Sequence, residues 1–89
     1  KMTIKEALFW AGEQLAEACE RPQFEAELLL AYHLRKERTY LIIHENETVD
    51  DLNRYEILVN RRMANEPYEY IVGSASFYDI HLNVEPGVL

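Results

Sequence analysis

Three histidines, one cysteine and two carboxylate doublets are the side chains of this 89-residue chain best suited to chemistry. A metal centre needs ligands at helical or loop spacing. His33, His44 and His81 have neither that spacing nor a cysteine partner. His33 stands among apolar residues and reads as a hydrogen-bonded core or boundary histidine, and His81 reads as a residue on the open face of a strand. Cys19 would need a nearby cation to become a nucleophilic thiolate. It lies beside the apolar stripe of a helix, so it reads as a small buried hydrophobe. Glu25 with Glu27, and Asp50 with Asp51, could form an acid–base pair only if their side chains converged. Residues one or two apart on a helix point away from each other, so they read as a solvated face and an acidic first turn. Gly12, Gly73 and Gly87 are isolated, which leaves no glycine-rich phosphate loop. No catalytic, cofactor-binding or metal-ligating residue is therefore expected in the chain itself.

Charge narrows the partners. Sixteen acidic residues against nine basic ones give a net charge of -7. Arg35, Lys36, Arg38, Arg61 and Arg62 cluster locally but are flanked by glutamates. Nucleic-acid affinity rests largely on cations that replace counterions, so direct nucleic-acid binding is not expected. Cys19 is the only cysteine, which excludes an intrachain disulfide. No apolar run has the length of a membrane span and no leader pattern is visible, so the chain is expected to be soluble and cytoplasmic, with no membrane partner.

The elements follow from period and punctuation. Thr3 and Glu6 fit a capping box. Ile4, Ala7, Leu8, Ala11, Leu15 and Ala18 then share one stripe of a first helix that ends near Glu20, with Trp10 at its edge and Phe9 almost opposite. Pro22 suits the first turn of a second helix, which Leu28-Leu29-Leu30-Ala31-Tyr32 makes apolar on most sides. Thr39 can cap a short third helix over Tyr40 to His44. Thr48-Val49-Asp50-Asp51 is a second capping-box-like start, for a fourth helix burying Leu52, Tyr55, Val59 and Met63. Arg61 and Arg62 complement its C-terminal carbonyls, Asn65 suits a left-handed stop and Pro67 prevents continuation. Tyr68 to Val72 forms a short fifth turn closed by Gly73.

Beyond Gly73 the period becomes two. Ala75 and Phe77 share one face, and Ile80, Leu82 and Val84 alternate with polar residues around a Tyr78-Asp79 reversal. The expectation is a mainly α chain: a four-helix bundle with a short fifth helix, then a C-terminal β-hairpin over residues 74 to 84. Leu8, Leu15, Leu29, Leu30, Leu52 and Val59 are the expected core. One domain is expected at this length.

Glu66-Pro67, Tyr70-Ile71-Val72-Gly73, Phe77-Tyr78 and Val88-Leu89, with Arg62 and the Glu25-Ala26-Glu27-Leu28-Leu29-Leu30 run, closely resemble the HemK/PrmC family. Asn65 and Asp79 stand where that family commonly has glycine. The family comprises S-adenosylmethionine-dependent methyltransferases that modify the side-chain nitrogen of the Gly-Gly-Gln glutamine in class I peptide release factors. The resemblance implies a helical recognition domain over residues 1 to 73. Residues 74 to 89 would then be a hairpin and joint leading to a catalytic domain that lies outside this chain. The family's Ile-Pro-Arg-x-Glu-Thr-Glu stretch, glycine-rich cofactor loop and Asn-Pro-Pro-Tyr motif are not in these residues, so S-adenosylmethionine is expected in the parent protein and not here. The implied partners are a class I release factor and the chain's own catalytic domain. Phe9, Ile57, Arg62, Tyr68, Tyr70, Phe77 and Tyr78 are the candidate contacts. The alternatives are the same domain of a relative acting on a ribosomal protein, or a free-standing helical interaction module.

Overall fold

A computed structural model of the chain describes the backbone of residues 1 to 81 and the side chains of residues 1 to 77. Five helices follow in order: α1 (Ile4–Leu15), α2 (Pro22–Leu34), α3 (Arg38–Ile43), α4 (Leu52–Met63) and α5 (Tyr68–His81).

The start of α1 shows how backbone groups are satisfied. Thr3 accepts from the Glu6 N–H at 3.2 Å, and Glu6 accepts from the Thr3 N–H at 2.9 Å, which is the expected capping box. The free N–H groups of Ile4 and Lys5 donate to the carbonyls of Glu47 and Glu45, in the loop between α3 and α4. Val49 donates to Met2, and Thr3 pairs with Thr48 in an isolated antiparallel bridge. Helix start and distant loop thus saturate each other. Thr48 lies in that bridge and does not cap α4. That helix begins later, after Asp51 in the left-handed region at φ 54° with no side-chain cap.

Three further boundaries differ from expectation. α1 stops at Leu15, five residues before Glu20, and turns through Ala16 to Ala18. α3 begins at Arg38, so Thr39 sits inside its first turn instead of capping it. The largest difference is at the C-terminal end. α5 continues through Gly73 to His81, so the expected first strand around Ala75–Phe77 is helix and the hairpin is not formed there. Residues 82 to 84 of that hairpin lie outside the described residues. The physical reason is visible in the contacts. Ile71 is buried and Tyr68 and Ala75 pack at the core edge, a 3.6-residue spacing that the same letters also permit. Among the described residues there is no strand to pair with, and a helix satisfies its own backbone.

The stops at α2 and α4 are alike. Arg35 (φ 58°) and Asn65 (φ 72°) are left-handed. Lys36 donates back to Ala31 and Glu66 donates back to Arg61, closing the six-to-one bond of a Schellman motif in both places. Asn65 makes the stop expected of it.

The core gathers Ile4, Ala7, Ala11 and Leu15 from α1, Ala26, Leu29, Leu30 and Ala31 from α2, Leu41 from α3, Tyr55, Leu58 and Val59 from α4, and Ile71 from α5. Leu15, Leu29, Leu30 and Val59 are where the sequence placed them, whereas Leu8 and Leu52 are only partly buried against that core. Leu58 takes the inward position on α4, and Met63 is exposed. α1 packs on α2 and α4, α3 on α2, and α5 on α4. Tyr55 lies at the centre, with its hydroxyl donating to the Ala26 carbonyl at 3.1 Å and Trp10 meeting its ring edge-on at 6.4 Å. Burial holds that hydroxyl well above the usual tyrosine range.

Candidate functional site

Three of the residues that carried the family resemblance, Glu25, Arg62 and Glu66, meet at one junction. The Schellman stop at Asn65 turns the chain so that Glu66 faces back onto α4. Arg61 then grips Glu66 with Nε at 3.1 Å and Nη2 at 2.7 Å from one carboxylate oxygen. Arg62 reaches the other way, from Nε to Glu25 on α2 at 3.2 Å and from Nη1 to the Glu66 carbonyl at 3.4 Å. These side chains are only partly exposed, 18% for Arg62 and 21% for Glu25. Three elements are thereby tied: α2, the end of α4 and the entry to α5. Arg61 holds the Glu66 carboxyl below its ordinary range by hydrogen bonding, and its guanidinium lies 5.7 Å over the Tyr70 ring.

Tyr68 sits half-buried beside this junction, its phenol pushed up by burial and then by Tyr32, Glu69 and Glu25. Farther along α5, the Tyr32 hydroxyl lies 2.9 Å from that of Ser76 and donates toward the Val72 carbonyl at 3.5 Å. Cys19 borders the same region. It is only partly buried, not the fully buried hydrophobe expected, and burial raises its thiol above the ordinary range while Arg62 offsets part of that.

The carboxylate doublets do not converge. Glu25 and Glu27 are engaged by different arginines, Arg62 and Arg38, so they are ion-paired and not merely solvated. Asp50 uses its carbonyl to accept from His33 Nε2 at 2.8 Å, while Arg54 donates to His33 Nδ1 at 2.9 Å. That arrangement selects the neutral Nε2–H tautomer and makes His33 the hydrogen-bonded boundary residue expected. Among the described residues no three His, Cys, Asp or Glu side chains could hold a metal ion. Among them no helix is long and apolar enough to cross a membrane.

Geometry of this kind holds and presents surfaces. The candidate contacts fall into separate places. Arg62 and Tyr68 belong to the junction. Tyr70 and Phe77 lie exposed on the outward side of α5, one helical face apart from Ile71. Phe9 is 64% exposed on α1, and Ile57 is exposed on α4. The side chain of Tyr78 lies outside the described ones. Two exposed apolar residues were missed, Ile42 and Ile43 on α3. Their signal was present: three successive apolar residues, Leu41-Ile42-Ile43, advance about 100° each on a helix, so they cannot all face one core.

Over the described residues the fold is a small helical domain in which this junction ties α2, the end of α4 and the start of α5. The chain belongs to the PrmC N-terminal domain family, whose family model matches residues 6–73. It is similar to the release factor glutamine methyltransferases of Koribacter versatilis (40% identical over 99% of this chain and 32% of the relative), Aliivibrio fischeri (39%, over 82% and 26%) and Vibrio cholerae (36%, over 99% and 32%). The chain thus spans between a quarter and a third of the length of these relatives. No solved structure gives a significant match.

Proposed function

We propose that this chain is the release-factor-recognising domain of a protein-(glutamine-N5) methyltransferase that uses S-adenosylmethionine to modify the Gly-Gly-Gln glutamine of class I peptide release factors. The observation that carries the reading is membership of the PrmC N-terminal domain family, together with relatives named release factor glutamine methyltransferase. In this reading the methyl donor and the glutamine bind a catalytic domain outside the chain. Residues 1 to 73 add contact area for the release factor. The outward side of α5, with Tyr70 and Phe77, faces the catalytic domain, and the Glu25–Arg62–Glu66 junction sets the angle at which α5 leaves the bundle.

The test is kinetic. Residues 1 to 65 are deleted from the full-length enzyme, and methylation is measured on an intact release factor and on a short Gly-Gly-Gln peptide. Recognition by this domain requires a large loss of kcat/KM on the intact protein with little change on the peptide. Equal losses on both would assign the domain to folding or stability instead.

A further inference from the structure

Phe9 has a neighbour that the linear sequence does not show. α1, the start of α2 and α3 border a shallow hollow of about 310 Å³ lined by Lys5, Leu8, Phe9, Gln23, Leu41, Ile42 and Glu45. Phe9 and Ile42 are 64% and 69% exposed, so the hollow has apolar walls open to water. Leu41 at its base is fully buried, and the base is therefore firm. The adjoining surface past Phe9 carries Glu6 and Glu13 with Lys1 and Lys5. The hollow's own lining carries one acid and one lysine, so the acidic bias that a partner meets comes from the adjoining Glu6 and Glu13 and from the chain's net charge of -7.

We propose that this hollow is the partner-binding patch of the domain, and that it takes an apolar side chain presented by a locally cationic protein surface. The proposal rests on reading the chain as a recognition domain and gives that reading a location. A second copy of the chain is the weaker occupant. Two surfaces of charge -7 repel each other. A cationic partner gains from the same field that excludes a copy. The apolar insert supplies the anchor, as central apolar residues do at interfaces.

The experiment is calorimetric titration of the 89-residue chain with a purified class I release factor, at about 50 and about 500 mM salt. Phe9→Ala and Ile42→Ala are each expected to weaken binding by about tenfold or more, with Ile43→Ala, exposed on α3 and outside the hollow, as the control that leaves it unchanged. Both hollow residues are exposed, and unchanged thermal melts will verify that the variants fold. Binding of the parent chain should weaken at the higher salt. Binding that is insensitive to Phe9→Ala and Ile42→Ala overturns the proposed patch and leaves the recognition reading standing. Binding that is equal or tighter at high salt overturns the cationic partner. No binding of the unmodified chain overturns both the patch and the recognition reading.

Discussion

Arg62 on α4 lies 3.2 Å from Glu25 on α2, thirty-seven residues earlier, and its other arm touches the Glu66 carbonyl just before α5. One guanidinium therefore bridges three elements. Arg62→Ala should destabilise the chain by about 1 to 3 kcal/mol, because it leaves a partly buried carboxylate without its cation. A double-mutant cycle with Glu25→Ala should show that the two losses do not add. Urea melts of the four chains measure this, and additive losses would mean the pair contributes nothing.

Gly73 separates the helical reading of α5 from an extended one. No atom lies within 4 Å of the position a Cβ would take, and the residue is inside the helix. Gly73→Ala should therefore stabilise the chain by up to about 1 kcal/mol, through reduced backbone entropy in the unfolded state. A rise in the urea midpoint with unchanged slope is the expected result. No gain would mean that this segment is not helical in solution. Gly12 is different, because a Cβ there would run into the Gln23 side chain. The gain from Gly12→Ala should be smaller.

The core makes a sharper demand. Leu29 is fully buried, and Leu29→Ala should cost on the order of 2 to 5 kcal/mol. Tyr55→Phe removes only the hydroxyl that donates to Ala26 and should cost about 0.5 to 1.5 kcal/mol. Chemical denaturation of both variants checks the ratio.

Stability should fall on acidification through His33. Burial, chiefly, and then the Arg54 charge hold its imidazolium below the ordinary value of 6.5, against the opposing hydrogen bond to Asp50. Asp51 and Asp50 also oppose the shift. The unfolded chain thus binds its proton at a higher pH than the folded one. His33 contributes no penalty above pH 6.5, and the penalty grows as pH falls below it toward the lowered folded value. Protonation also forces Nδ1–H against the Arg54 donor. Thermal melts between about pH 7 and pH 5 should show a falling Tm, and His33→Gln should flatten that part of the profile.

S-adenosylmethionine titrated into the isolated chain should give no specific heat, since no segment supplies the glycine-rich turn that seats such a cofactor. Saturable micromolar binding would reassign the chain.

What the sequence by itself determined was local. The Thr3–Glu6 box, the stop at Asn65 before Pro67, and the positions of Leu15, Leu29 and Val59 all depend on residues within a few positions of each other. Short-range sterics and hydrogen bonds decide such features wherever the segment lies. What only the tertiary structure decided involved a competitor or a partner far along the chain. Thr48 pairs with Thr3 in a bridge, and α4 starts only after Asp51. Residues 74 to 77 satisfy either period, and the surfaces of α2 and α4, with Tyr32 reaching Ser76, selected the helix. Glu25 looked like a solvated acid until the fold brought Arg62 to it. Phe9 was visible as an outlier on its own helix, yet Ile42 came to line the same hollow only when α3 packed on α2. Pairing energies between distant residues depend on loop paths and packing, and a pattern in one helix carries no record of them.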